Sequence, residues 1–184
     1  MLSGEIWNQV HRYKDEFSGY QKLEYKVNNW LFLVDLQARR TVFDYEGSIP
    51  FREISWNFIN PKFGSTFQIQ KEKFIYFNIG RTGREPAKYD MFHGNDILLY
   101  LCDYDEDGNP IIPHIGNDLI SSIQPEYVTD FELGVRGENK KGLINLNFYY
   151  LNFDNERVLN GMYGPNGLAL TSNVEKSFRM GGEL

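Results

Sequence analysis

The acidic stretch that begins at Asp103 has the residue spacing closest to that of a metal site. Asp103, Asp105 and Asp107 alternate and Gly108 follows them, so the carboxylates could converge on calcium while the glycine makes the turn. The twelfth position of a helix-loop-helix calcium loop is a bidentate Glu, but here it is His114 and the flanks look like strands, which excludes that loop type. Because Asp-Gly and Asn-Pro favour turns, we predict a hairpin tip without metal, with a looser calcium loop as the weaker alternative.

Three histidines and one cysteine are the candidates for catalysis. Asp96 follows His93 and the aspartates precede His114, whereas His11 has no such neighbour pattern. Acid-base catalysis needs more than proximity in sequence, and the spacings typical of common hydrolases and deaminases are absent. Cys102 ends an apolar run, where a free cysteine usually behaves as a small hydrophobic residue. We predict no catalytic residue and no cofactor, with a small hydrolase using His93 or His114 as an alternative.

A glycine- and arginine-containing stretch, residues 80–84, could hold an anion. Its glycines would expose backbone N–H groups and its two arginines would supply charge. The sequence Gly-Arg-Thr-Gly-Arg matches neither the P-loop nor the dinucleotide-binding pattern. We therefore predict that residues 80–95 form a long loop with solvated arginines.

The composition predicts one folded, mainly β domain. The chain has 184 residues, of which 41% are hydrophobic and 16% aromatic, and aromatic rings favour strands. A formal charge of -6 disfavours sequence-independent nucleic-acid binding, and a single cysteine excludes an intrachain disulfide. The longest apolar run, residues 30–34, is too short to span a bilayer, so we expect no membrane contact.

Periodicity predicts one helix, several strands and a terminal arm. Ile6, Trp7, Val10, Tyr13 and Phe17 recur at helical spacing, which predicts an amphipathic helix over residues 4–17. The Gly- and Asn-rich residues 160–184 have no sustained period and predict an extended arm beyond a β-rich domain over residues 1–159. The predicted fold class is mainly β, a β-sandwich or partly open barrel.

Alternating and apolar segments predict the strands. Residues 30–36 and 41–45 read as a hairpin, and residues 52–59 as a strand that Asn60-Pro61 ends. Residues 66–70 and 74–79 are either a second hairpin or one long strand. The acidic turn lies between predicted strands 97–102 and 111–115. The clearest pair is 127–136 with 143–153, because Ile144, Leu146, Phe148 and Tyr150 share one face, which we assign to the core.

These features favour a protein that acts through contacts with other proteins. We predict a non-enzymatic assembly protein, a bacteriophage virion component of the neck, tail or baseplate, made in the cytoplasm and working as an oligomer or multi-component assembly. A toxin-neutralising immunity protein is an alternative, because an acidic surface could mask a basic active site. Trp7, Tyr163 and Phe178 are the predicted interface anchors, since these rings lie outside the predicted core strands.

Overall fold

A computed structural model describes residues 11–46, 53–91, 103–104, 106–107, 110–111, 124–139, 142–164 and 167–184. Seven strands form one antiparallel sheet in the order β1-β2-β3-β4-β7-β8-β9. The strands are β1 His11–Val27, β2 Trp30–Glu46, β3 Ile54–Gln70, β4 Lys73–Arg84, β7 Glu126–Asn139, β8 Gly142–Tyr163 and β9 Ala169–Glu183. Helix α1 is Lys88–Met91, and β5 Asp103–Tyr104 pairs with β6 Pro110–Ile111. The predicted mainly β class is confirmed.

The strands are much longer than those of most globular proteins. β8 has 22 residues and β1, β2 and β3 have 17 each, whereas globular strands usually have about 3–10. Each strand of the large sheet pairs with its neighbour in the chain order, with α1, β5 and β6 between β4 and β7. Among the described strands, β1 pairs only with β2 and β9 only with β8. The sheet therefore has two open edges.

The strand register separates apolar from polar side chains. Paired residues point to the same side, so the pairs Phe77–Leu133 and Leu133–Phe148 extend one apolar row across β4, β7 and β8. This face, the apolar face, includes Trp30, Phe32, Val34, Leu36, Phe63, Phe67, Ile75, Phe77, Ile79, Phe131, Leu133, Val135, Ile144, Leu146, Phe148, Tyr150, Phe178 and Met180. The opposite side, the polar face, includes Lys62, Asn78, Asp130, Glu132, Asn145 and Asn147.

The two ends of the sheet differ in their connections. Asn28 and Asn29 join β1 to β2, Lys71 and Glu72 join β3 to β4, and residues 140–141 lie between β7 and β8, all at one end, the short-turn end. At the other, the long-connection end, residues 85–125 lie between β4 and β7. None of the described helices is both long and apolar enough to pass through a bilayer.

The apolar face is exposed, which contradicts the predicted core. Ile144 is 66% exposed and Phe148 is 55% exposed, although their alternation in β8 is as predicted. Buried residues lie instead around the long-connection end and include Phe43, Phe58, Met91 and Phe153. The alternation was therefore correct, but it did not distinguish a buried face from an exposed one.

The predicted terminal elements are wrong where they can be compared. Residues 11–17 of the predicted helix belong to β1, where each is paired with β2, and residues 4–10 lie outside the described part. Residues 169–183 of the predicted arm form β9, which pairs with β8. Pairing along a whole neighbouring strand outweighs local periodicity and composition in both cases.

Three predicted breaks lie inside strands. β2 continues through residues 37–40, and β3 continues through Pro61, which lies just beyond the last residue of β3 that pairs with β4, Lys62. A residue without an N–H is tolerated where the strand has a neighbour on one side only. Residues 80–84 belong to β4, with Gly80 under Lys62 and Gly83 under Phe58 and Tyr127, so these glycines make room for side chains rather than a loop.

The hairpins around residues 71–72 and 140–141 agree with the sequence. The first of the two alternatives for residues 66–79, a hairpin, is confirmed by the pairing of β3 with β4. The pair predicted from residues 127–136 and 143–153 is also confirmed, with longer strands than predicted.

Candidate functional site

A short segment after β4 crosses the polar face at the long-connection end. We call residues 85–91 the strap; it begins directly after Arg84 and ends with α1. Its first residue contacts β1 and β2, and Asp90 contacts β8 and β9. Because the six residues 85–90 connect partners on opposite sides of β4, the sheet must curve around the strap. The polar face is therefore the concave face.

The first anchor of the strap is Glu85. Lys14 Nζ donates to Glu85 Oε1 at 2.7 Å, and Arg39 Nη2 donates to Glu85 Oε2 at 2.8 Å. Arg39 also donates to the Gly83 carbonyl oxygen at 3.1 Å, and its guanidinium lies 4.8 Å from the centre of the Phe58 ring. Arg39 thus holds the strap through both its charge and its planar group.

The carboxyl group of Glu85 is held in its ionised form. Burial alone raises the pKa, but the hydrogen bond from Lys14 and the positive charges of Arg39 and Lys14 outweigh it. The pKa of Glu85 is therefore lowered from its ordinary value of 4.5. At neutral pH the anchor is a fully charged pair of contacts.

The second anchor is Asp90. Its carboxylate accepts hydrogen bonds from Arg157 in β8 and Thr171 in β9, and Asp90 Oδ2 also accepts from the Ala87 N–H at 3.1 Å. The side chains of Asp90 and Arg157 are each 9% exposed. Met91, which ends the strap, is 2% exposed. A buried ion pair and a buried apolar residue therefore fix this end.

Two more carboxylates near the strap also accept hydrogen bonds or form ion pairs. Glu126 accepts from the Arg157 N–H at 2.8 Å and lies 3.1 Å from Arg84. Glu156 accepts from Arg179 and Ser177. Each carboxylate thereby connects its own strand to a neighbouring strand. These contacts stabilise the pairing of the strands at the long-connection end.

Below the strap, towards the short-turn end, the polar face forms a groove of about 460 Å³. Its lining combines polar with apolar side chains: Lys62, Asn78, Thr82, Asp130 and Glu132 on the one hand, and Leu33, Val128, Leu151 and Phe153 on the other. Asn78 donates to Glu132 at 3.2 Å, while one buried oxygen of Asp130 has no partner among the described residues. Within the described residues, no three His, Cys, Asp or Glu side chains are grouped to hold a metal. The groove therefore presents polar side chains of both charge signs on the concave face.

On the opposite side of the sheet, charged residues border the apolar face at the long-connection end. Arg81 donates to Thr129 at 3.2 Å and to Asp154 at 3.1 Å, and Lys176 also donates to Asp154. Arg81 lies 4.8 Å from the Tyr127 ring centre. The apolar face thus ends in a row of paired charges.

Most of the predicted site residues lie outside the part of the chain that the structure describes. Trp7, His93, His114, Cys102 and Asp105 lie outside the described residues. His11 begins β1, Asp103 begins β5, and Asp107 lies exposed in the turn between β5 and β6. The absence of calcium at this tip stays a prediction.

Of the interface anchors, Tyr163 and Phe178 are described. Tyr163 ends β8 and is 73% exposed, and Phe178 is on the apolar face, 61% exposed, with its ring centre 5.9 Å from that of Tyr150. They contact different parts of the sheet, and their role as interface anchors stays a prediction.

Sequence reasoning missed the residues that build the site. Arg39, Glu85, Asp90 and Arg157 are far apart in the sequence, and no motif connects them. A usable signal was present in the strands, because apolar residues alternate with polar ones over unusually long stretches. That pattern fits a sheet with one hydrocarbon face and one wet face.

The family described as TonB dependent receptor-like, beta-barrel, matches residues 7–184. This chain belongs to that family. Comparison with curated proteins gives no match.

Several solved structures have the same fold at low sequence identity. Copper transporter OprC is 12% identical with a TM-score of 0.65, covering 93% of this chain and 25% of its own. The FrpB iron transporter from Neisseria meningitidis, F3-3 variant, is 12% identical with a TM-score of 0.60, and the match covers 95% of this chain and 24% of FrpB. The alcaligin outer membrane receptor FauA from Bordetella pertussis is 11% identical with a TM-score of 0.54, and the match covers 94% of this chain and 27% of FauA. This TonB-dependent receptor-like chain spans about a quarter of the length of these relatives.

Family membership corrects the predicted function. The phage virion component is wrong, as are the immunity protein and hydrolase offered as alternatives, because the chain is a receptor-like β-barrel segment. The predicted cytoplasmic and virion location and the exclusion of a membrane from the partners are wrong as well. The exclusion of a membrane rested on the absence of a long continuous apolar run, whereas a membrane-spanning strand alternates apolar and polar residues. The relatives are described as transporters and receptors rather than enzymes.

Proposed function

We propose that this chain forms seven strands of the wall of a TonB-dependent transporter barrel in a bacterial outer membrane, and that it is not an enzyme. The observation that carries the proposal is the exposed apolar face, which belongs to the same strands as a polar, concave face. In water such a face would favour aggregation. In a barrel it contacts lipid, while the polar face lines the interior.

The extent of the apolar face supports a membrane position. On β2, the apolar-face residues run from Trp30 to Ala38, and on β3 from Ile59 to Phe67. Both spans match the roughly 9–11 residues of a tilted membrane strand. Beyond them the same side of the sheet carries Arg81 and Asp154. Trp30 and Phe67, with ring centres 4.7 Å apart, lie near the short-turn end, as aromatic residues do at a membrane interface.

The connections support one orientation. Outer-membrane barrels have short turns on the periplasmic side and longer loops outside the cell. The long-connection end, with residues 85–125, therefore faces outwards. The strap then lies inside the barrel near its outer mouth, where Glu85 and Asp90 hold it against the wall.

The open edges of β1 and β9 imply further strands. A lipid-exposed edge leaves backbone N–H and C=O groups without partners, which is costly in hydrocarbon. We propose that additional strands of the barrel pair with both edges. The length of the relatives, about four times that of this chain, supports this.

For the substrate, we propose a metal ion or metal complex. OprC, FrpB and FauA are described as a copper transporter, an iron transporter and an alcaligin receptor, and the groove on the polar face has side chains of both charge signs. The family description also supports TonB as a partner. On this basis Phe178 contacts lipid rather than another protein subunit.

The proposal is tested with an arginine on each face. Leu133 is on the apolar face and 52% exposed, whereas Asn145 is on the polar face. Leu133→Arg should lower the free energy of unfolding in phosphatidylcholine vesicles by about 2–4 kcal/mol and reduce the amount in the outer membrane, because the charge must enter hydrocarbon. Asn145→Arg is the matched control and should change both by little. Equal effects of the two substitutions would contradict the proposal.

A further inference from the structure

A second groove lies on the apolar face at the short-turn end. It has a volume of about 640 Å³, and its apolar lining includes Ile69, Val135, Ile144 and Leu146. It lies between the ends of β3, β4, β7 and β8, where the bilayer would meet the periplasm. This location rests on the proposed function.

One cation stands at the edge of this groove. Lys73 lines it and is exposed, and its register partner is Gly137, which has no side chain to cover it. Within the described residues Lys73 makes no ion pair, and Lys71 in the adjacent turn makes none either. Arg136 and Glu138 also line the groove, and they pair with each other at 3.9 Å, so the charge left without a partner among these three is that of Lys73. The groove therefore combines an apolar floor with unpaired positive charge.

We propose that this groove binds an anionic phospholipid of the periplasmic leaflet. The acyl chains would lie on Ile69, Val135 and Ile144, and the phosphate would contact Lys73, with Lys71 adding charge. Charge complementarity carries the choice of occupant, since the whole chain is acidic, at -6, while the edge of this groove is cationic. A lysine at the border of an apolar surface places its stem on hydrocarbon and its ammonium at the level of the headgroups.

The test measures lipid retention by native mass spectrometry. The chain, as part of its complete barrel so that both edges of the sheet are paired, is reconstituted in vesicles of phosphatidylcholine and phosphatidylglycerol in equal amounts, extracted in mild detergent, and analysed for bound lipid. Insertion is measured first in pure phosphatidylcholine. Failure to insert there would contradict the proposed function, whereas insertion without lipid preference would contradict only the phospholipid site.

The expected result is a preference for phosphatidylglycerol of about fivefold, the ratio that one well-placed lysine gives. Lys73→Gln should reduce it towards equal retention, and Val135→Trp, which fills the groove, should lower retention of both lipids. Lys62→Gln, on the polar face, is the matched control and should keep the preference. Equal retention by the unsubstituted chain, or a preference that Lys73→Gln leaves unchanged, would overturn the proposal.

Discussion

The ring of Tyr76 in β4 lies across Gly134, its direct register partner in β7. The Tyr76 hydroxyl reaches past this glycine to Asn147 Oδ1 in β8, at 3.3 Å. A Cβ at position 134 would overlap the ring. Tyr149 lies over its own partner, Gly181, in the same way, with its hydroxyl 2.6 Å from the position of an added Cβ. Glycines on the polar face thus let tyrosines lie flat along the wall.

Gly134→Ala should therefore destabilise the chain by about 1–3 kcal/mol, because the added methyl group forces the ring out of place. Gly19→Ala is the control, since no atom lies within 4 Å of an added Cβ there. The measurement is the free energy of unfolding in detergent micelles. Adding Tyr76→Leu to Gly134→Ala should restore much of the loss. If the two glycine variants are equally stable, the packing of this pair is not as described.

Removing the second anchor of the strap should be more costly. Asp90→Ala leaves Arg157 buried without its ion-pair partner, with an expected loss of about 3–5 kcal/mol. Glu138→Ala breaks the exposed 3.9 Å pair with Arg136 and should cost less than about 1 kcal/mol. The double variant Asp90→Leu with Arg157→Met should recover most of the stability. A small effect of Asp90→Ala would show that the strap is not fixed by this pair.

The first anchor predicts a pH dependence. The pKa of Glu85 is lower in the folded chain than its ordinary value of 4.5, so the folded state binds fewer protons than the unfolded state in this range. Its stabilising contribution is complete above that ordinary value and is lost as the pH falls through the lowered pKa. As the pH is lowered from about 6 to about 3, the free energy of unfolding should fall more steeply for the unsubstituted chain than for Glu85→Gln. Equal slopes would be inconsistent with this anchor.

The turn between β3 and β4 stores backbone strain. Glu72 has a φ of 62°, a left-handed conformation that costs an L-residue with a side chain about 1–2 kcal/mol. Glu72→Gly should raise the free energy of unfolding by up to about 1 kcal/mol, and Glu72→Val should lower it. The backbone hydrogen bond from Glu138 N–H to the Glu72 carbonyl, 2.9 Å, is available in both variants. A destabilising effect of glycine would mean that the turn has another conformation.

The sequence predicted the β class because alternation is a local property. Ile144 to Tyr150 alternate with Asn145 and Asn147, and the structure has the same alternation in β8. Alternation cannot distinguish a face against a protein core from a face against lipid, since both require apolar residues. The exposure of Ile144 and Phe148 in the folded sheet shows that this face does not pack against a core of the described chain.

Strand length and the strap could not be predicted from local patterns. Pro61, Gly80 and Gly83 are usual signals of breaks, yet each lies in a strand because of its neighbours across the sheet. The contacts of Glu85 with Arg39 and of Asp90 with Arg157 depend on the curvature of the whole sheet. Such contacts correspond to no recognisable residue spacing in the sequence.

The most direct test of the membrane-wall function is cysteine labelling along β8. In a Cys102→Ser background, single cysteines replace Leu146 and Phe148 on the apolar face and Asn145 and Asn147 on the polar face. Reconstituted in phosphatidylcholine vesicles as part of its complete barrel, the chain is treated with a water-soluble, membrane-impermeant maleimide. Positions 145 and 147 should react and positions 146 and 148 should be protected, because only the polar face contacts water. Equal labelling of all four positions, or stronger labelling at 146 and 148, would contradict the assignment of the apolar face to lipid.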